Sequence, residues 1–157
     1  MALEIERKFL ASSAVLPFCR SGIPLVQGYL YTDTHHTLRV RRAGDRAFLT
    51  WKGPKSGAVR EEVECEIPLQ MGEALLADVP PNERVQKMRY GIEHAGAIWD
   101  VDVFQGPLDG LILAEIEMAR EDELVVLPFW LGREVTSDPC YRNSRLATGA
   151  MPNLLAA

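Results

Sequence analysis

Apolar and polar residues alternate with a period of two along most of this chain, the pattern of half-buried strands. In the opening stretch MALEIERKFL, Glu4, Glu6 and Lys8 fall on one parity, while Leu3, Ile5 and Phe9 fall on the other. The alternation predicts eight strands: Leu3–Leu10, Leu25–Thr32, Thr37–Arg42, Ala47–Lys52, Arg60–Pro68, Arg84–Ile92, Ala97–Phe104 and Leu111–Met118. Turn chemistry fills several gaps: Thr32–His36, Ala43–Arg46 around Gly44, Gly53–Gly57 around Pro54, and Gly106–Gly110 around Pro107. Gaps this short suit an antiparallel meander able to close on itself. Helix signals are few. Gln70–Asp78 runs into Pro80-Pro81, and Arg142–Thr148 stops at Gly149. Glu121–Leu127 is ambiguous and stops at Pro128.

The polar parity is charged on strand after strand. Arg39 and Arg41 share a face, as do Glu62, Glu64 and Glu66, Lys87 and Arg89, Asp100 and Asp102, and Glu115 and Glu117. Lys52 ends a strand whose same-face neighbours are Phe48 and Thr50. A solvated sheet face explains such alternation on any single strand. The set is different, because acidic and basic rows lie on separate strands with little Thr, Ser or Gln between them. Turned inward, such rows could not be buried unpaired. Carboxylates of this kind suit hard divalent cations, and arginine and lysine suit phosphate oxygens. A phosphate chain with bound metal satisfies both halves.

Composition narrows the field. At 157 residues the chain is expected to form one domain, residues 1–157, with a sizeable core. A net charge of −5 gives no footprint for nucleic acid. The charged first ten residues are unlike a signal peptide, and no apolar run reaches the roughly 20 residues of a membrane span. Cys19, Cys65 and Cys140 show no metal-binding spacing and read as free thiols in a cytoplasmic protein.

Glu-Ile-Glu-Arg-Lys at residues 4–8 resembles the ExExK signature of the CYTH superfamily, the triphosphate tunnel metalloenzymes. QGYL at Gln27–Leu30, LRVR at Leu38–Arg41, LTWKG at Leu49–Gly53 and REEVECEI at Arg60–Ile67 follow in the family's order. VQKMRY, WDVDVF, AEIEM and the C-terminal WLGREVTSDPCYRNSRLA continue it to Ala147.

The resemblance implies a mainly β fold, an eight-stranded antiparallel closed barrel forming a tunnel, with a few short helices. It implies a metal-dependent hydrolase of inorganic triphosphate using two Mg2+ or Mn2+ ions. It makes Glu4, Glu6, Glu62, Glu64, Asp102, Glu115 and Glu117 metal ligands. Lys8, Arg39, Arg41, Lys52, Lys87, Arg89 and Arg142 fall on phosphate-binding positions. Lys8, Tyr29, Glu62 and Glu64 are the catalytic candidates, with Lys8 either binding phosphate or orienting a nucleophile together with Tyr29. Where the family carries a basic residue before Tyr141, this chain has Cys140.

Outside these rows, Glu66 and Asp100 read as rim or salt-bridge groups, and Arg7 and Arg42 as external. His35 and His36 read as solvated, and Cys65, Trp51 and Trp99 as core on the apolar parity. Competing expectations are a class IV adenylate cyclase, a thiamine or nucleoside triphosphatase, and a triphosphate-binding module without turnover. The expected partner is a small triphosphate, with neither nucleic acid nor membrane, on a monomer or homodimer.

Overall fold

The computed structural model describes residues 2–149 and 151–152. Among these residues nine strands form: β1 (Ala2–Ala11), β2 (Ile23–Thr32), β3 (Thr37–Ala43), β4 (Arg46–Ser56), β5 (Val59–Ile67), β6 (Val85–His94), β7 (Ala97–Phe104), β8 (Ile112–Glu117) and β9 (Leu131–Glu134). Two short helices accompany them, α1 (Leu69–Ala77) and α2 (Asn143–Leu146). The strands pair antiparallel in the order β5-β4-β3-β2-β6-β7-β8-β1, and β5 pairs back onto β1, which closes an eight-stranded barrel.

The ninth strand arises at this seam. β5 covers β1 from Ala2 to Ile5 and then ends. Farther along, β9 pairs with β1 at Phe9 and Ala11. A four-residue strand with one exposed face is too short to announce itself by alternation, and the sequence reading passed over it.

Hairpin geometry fixes the register. Ser56 pairs with Val59 across a two-residue turn whose Gly57 has φ +60°. His94 pairs with Ala97 across Ala95 and Gly96, which both have positive φ, the backbone that two-residue hairpins favour. The expected turn at Gly53–Gly57 is corrected: β4 continues through Pro54 to Ser56, with a register shift between Lys52 and Lys55. A bulge of this kind tolerates proline inside a paired strand.

Two apolar clusters hold the barrel. On the outer wall, Phe9, Trp99, Val101, Ala114 and Ile116 pack with Val15, from a 3-10 turn at Ser13–Phe18, and with Trp130. The rings of Phe9 and Trp99 meet edge to face at 5.7 Å. The second cluster lies inside the barrel at one end. There the charged rows give way to apolar residues on the same parity: Lys8 to Leu10, Lys87 to Val85, Asp102 to Phe104 and Glu115 to Leu113. Tyr141, Leu146 and Ala147, in and around α2, complete this apolar stopper.

Helix α1 lies against β2, β3 and β4 on the outside. Its Gly72 faces Ala47 so closely that an added Cβ would collide with the Ala47 methyl. Gly72→Val is therefore expected to lift α1 and destabilise the fold by about 1–3 kcal/mol, read from the urea midpoint. An unchanged midpoint would show that the helix seats elsewhere.

One side-chain expectation is corrected. Cys65 is exposed, because neither α1 nor another element covers its part of the outer face. Arg7 pairs externally with Glu134 at 2.6 Å, and Arg42 with Glu73 at 2.8 Å. Glu121–Leu127 forms neither helix nor strand.

Candidate active site

The inward parity of the eight strands lines a charged tunnel. Two cavities, of about 550 and 680 Å³ with open solvent at their mouths included, share Glu4, Glu6, Arg39, Lys52 and Asn143 in their walls. Strand register orders the tunnel. Glu62 lies level with Ala2, Arg60 level with Glu4, Glu115 level with Lys8, and Glu117 level with Glu6. Moving along β1 from Ala2 to Leu10 therefore leads from an acidic mouth to the apolar stopper.

Most cations face carboxylates across this space. Lys52 Nζ donates to Glu4 Oε2 at 2.6 Å and lies 3.3 Å from Glu62. Lys8 lies 3.3 Å from Glu115 and donates to the backbone carbonyl of Tyr141. Arg39 and Arg41 approach Glu64 at 3.6 and 3.5 Å. Thr50 ties this group together, donating to Glu64 at 2.6 Å and accepting from Arg39 at 3.2 Å.

Asp102 is 1% exposed, and both its oxygens are engaged. Arg89 donates to Oδ1 at 2.7 Å and to Oδ2 at 2.9 Å, and Lys87 lies 2.7 Å from Oδ2. Lys87 Nζ also donates to Asn143 Oδ1 at 3.3 Å, so Lys87 sits behind the tunnel wall rather than on it. Asp100 reaches Arg89 at 3.6 Å near the rim, and Glu66 pairs with Arg46 outside.

Glu6 stands apart. It lies directly across the β1–β8 pair from Glu117, and no cation comes within ion-pair distance of either among the described residues. Like charges placed opposite one another across strands oppose folding. Burial, with Glu115 adding its own charge, pushes the Glu6 carboxyl up to about 8. Burial also raises Glu4, although Lys52 pulls against it.

The cations respond in kind. Burial works against the Lys8 ammonium, but Glu115 and Glu6 outweigh it and leave its pKa raised. Burial, with Arg39 and Arg89 as like-charged neighbours, lowers Arg41 to about 10. Glu115 is held well below its ordinary value, since Lys8 and Arg89 overcome its burial.

These groups bear on a divalent ion. The donors are carboxylate oxygens, the ligand type of Mg2+ and Mn2+. Glu6 and Glu117 form no ion pair among the described residues, and buried Glu62 Oε2 makes no hydrogen bond there, with Lys52 Nζ 3.3 Å away. That set fits an added cation. Among the described residues no three acids already converge into a tight metal cluster, since lysines and arginines hold several of them apart.

The structure brings Glu4, Glu6, Lys8, Tyr29, Arg39, Arg41, Lys52, Glu62, Glu64, Arg89, Glu115, Glu117 and Arg142 onto the walls of these two cavities. Lys87 and Asp102 lie behind them. Thr37, Lys55, Arg60, Asn143 and Ser144 also line the space and were not among the candidates from the sequence; Thr50, noted there as a same-face neighbour of Lys52, lines it too. Arg60 shares its parity with Glu62 and Glu64, so the alternation held that signal. Lys55 did not, because the bulge after Lys52 reverses the parity. Asn143 and Ser144 belong to the α2 segment, which alternation does not reach.

The CYTH domain pattern matches residues 2–140. This chain belongs to the CYTH family. Two relatives named inorganic triphosphatase align over nearly their full length. The one from Acetivibrio thermocellus is 38% identical over 153 residues, covering 98% of each chain. The one from Nitrosomonas europaea is 40% identical over 149 residues, covering 92% of this chain and 96% of its own. The crystal structure of the inorganic triphosphatase NE1496 superposes on this CYTH chain with a TM-score of 0.67, at 36% identity, covering 97% of this chain and 99% of that one.

Proposed function

We propose that this CYTH protein hydrolyses inorganic triphosphate in its tunnel. The observation that carries the reading is the placement of Glu6 and Glu117, which form no ion pair among the described residues, on the wall of one cavity with Arg39, Arg41, Lys52 and Arg89. Two full-length relatives named inorganic triphosphatase support it. Among the described residues, Tyr29 is the one aromatic ring on the walls of the two cavities, which offers little to stack a nucleobase or thiamine ring.

In this reading Arg39, Arg41, Lys52, Arg89 and Lys8 neutralise non-bridging phosphate oxygens, charge that a loose phosphoryl-transfer transition state spreads over those atoms. Glu4, Glu6, Glu115 and Glu117 would hold one Mg2+ or Mn2+, and Glu62 and Glu64 a second. Bound there, the metal supplies Lewis-acid neutralisation and an acidified water. Asp102 acts as an anchor for Arg89 and Lys87 instead of a ligand, since its oxygens are already taken. Thr50 keeps Glu64 and Arg39 aligned. Lys8, held by Glu115 and the Tyr141 carbonyl, is oriented toward the chamber that Tyr29 also lines.

The test is a panel of tripolyphosphate, ATP and thiamine triphosphate, each with Mg2+ or Mn2+, with phosphate, pyrophosphate and cyclic AMP detected separately. Fast phosphate release from tripolyphosphate and little from ATP is the expected result. Cyclic AMP with pyrophosphate would replace the reading with a cyclase. Tight triphosphate binding without turnover would replace it with a binding module.

A further inference from the structure

Strand β2 turns Leu25, Gln27 and Tyr29 toward the barrel interior, where Tyr29 lines the tunnel. Gln27 is 0% exposed and sits behind the wall. Among the described residues neither its amide oxygen nor its amide nitrogen has a hydrogen-bond partner. A buried amide left in that state opposes folding, so its retention calls for a reason.

Register identifies its neighbours. Across the β2–β3 pair Gln27 stands level with Arg41, and Arg39 lies on the diagonal, level with Tyr29. Across the β2–β6 pair it stands level with Val85, and Lys87 lies on the diagonal, level with Leu25. Residues level across antiparallel strands have Cβ atoms roughly 5 Å apart. Val85 offers no polar group, so the direct polar neighbour of the amide is Arg41. The amide oxygen is an acceptor set among donors.

Arg41 has the complementary need. Lys8, Arg39, Lys52, Lys87 and Arg89 each donate a side-chain hydrogen bond. Arg41 only approaches Glu64 at 3.5 Å, and its Nε is buried without a partner among the described residues. Arg39 Nε is also without one, but Thr50 already ties the Arg39 guanidinium.

A guanidinium offers an outer fork and, at Nε, an inner donor. When the fork of Arg41 turns to phosphate oxygens, Nε stays on the strand side and out of water. A neutral acceptor there fixes the plane of the fork without cancelling its charge, whereas a carboxylate would cancel it. We propose that Gln27 is a positioning residue whose amide oxygen accepts from Arg41 Nε once a bound anion draws the guanidinium off Glu64. The amide thus lacks a partner in the ligand-free barrel and gains one in the loaded barrel. The inference rests on the triphosphatase reading for the anion, but its main test needs no turnover.

The experiment combines thermal melts with calorimetric titration of tripolyphosphate into the full chain without divalent metal. Gln27→Met, which keeps the length of the side chain and removes its polar atoms, should weaken binding about tenfold, the scale of a hydrogen bond to a charged group. The same variant without ligand should melt at least about 2 °C higher, since it no longer buries an unpaired amide. A residue that merely supported the fold would not move the two readouts in opposite senses. Arg41→Lys has no Nε, so adding Gln27→Met to it should change the Kd by less than about twofold. With Mg2+ present, Gln27→Met should raise KM about tenfold and leave kcat within about threefold, because a fixed fork serves bound substrate and transition state alike. Gln27→Leu replaces Gln27→Met if that variant fails to fold.

An unchanged Kd in Gln27→Met would overturn the proposal. A fall in Tm would show the amide already satisfied in the ligand-free barrel and overturn it too. So would an equal loss of affinity in the Arg41→Lys background, or a fall in kcat at constant KM. Tripolyphosphate that binds but is not hydrolysed with metal would instead defeat the functional reading alone.

Discussion

Glu6→Gln is expected to lower triphosphate turnover by at least about 100-fold, the upper end of what outer-shell changes around a metal cost, while leaving the barrel as stable or more so. The carboxylate is half-buried opposite Glu117 and near Glu115, and no cation pairs with it among the described residues. A neutral amide of the same shape removes repulsion without opening a cavity. The pH dependence separates this from a generic lesion. The folded-state pKa of Glu6 is raised to about 8 from an ordinary 4.5, so between those values the folded chain keeps a proton that the unfolded chain releases. Stability of the metal-free protein then falls as pH rises through that window, with the loss complete above pH 8. Glu6→Gln should flatten this decline. In wild type, Mg2+ should raise Tm more at pH 8 than at pH 6, because binding needs the carboxylate form. Melts of both proteins at pH 5.5, 7 and 8.5, with and without Mg2+, read all of this. Near-normal turnover in the variant would show that Glu6 holds nothing the reaction needs.

Alternation reached far in this protein because a closed barrel keeps one parity inside along each regular strand. The inward positions of β1, β3, β6 and β7 were legible for that reason, down to Arg7 and Arg42 as external groups. Where the backbone departs from the period, the reading failed. The bulge after Lys52 hid Lys55 and made the end of β4 look like a turn. The four-residue β9 carried too few positions to show a pattern. Cys65 had core parity but no covering element, and parity carries no information on cover. Asn143 and Ser144 come from a segment with no strand period. Sequence also left open which ionic groups face the tunnel and which support it. Asp102 and Glu115 carry the same type of charge on neighbouring strands. Only the pairing of Arg89 and Lys87 with both oxygens of Asp102 sets it behind the wall.

That arrangement makes Asp102→Ala the change expected to cost the fold most. It removes the partner of Lys87, which is 1% exposed, and the bidentate partner of Arg89. Breaking a buried ion pair from one side costs about 3–5 kcal/mol, because the remaining charge stays desolvated. For a chain of this size each kcal/mol moves Tm by roughly 2–4 °C, so a drop of about 6–20 °C is expected. The two cations differ in their escape. Lys87, already lowered to about 8 chiefly by burial, can shed its proton, whereas Arg89 stays charged. The loss should therefore be larger at pH 6 than at pH 9. Adding Lys87→Met to Asp102→Ala should recover part of the stability, since it removes the stranded ammonium, giving a non-additive double-mutant cycle. A Tm change below about 3 °C, roughly 1 kcal/mol, would show that water reaches this pair and satisfies the cations. Additive single and double variants would show that Lys87 depends on Asn143 and Phe104, whose ring lies 5.2 Å from its Nζ, more than on Asp102.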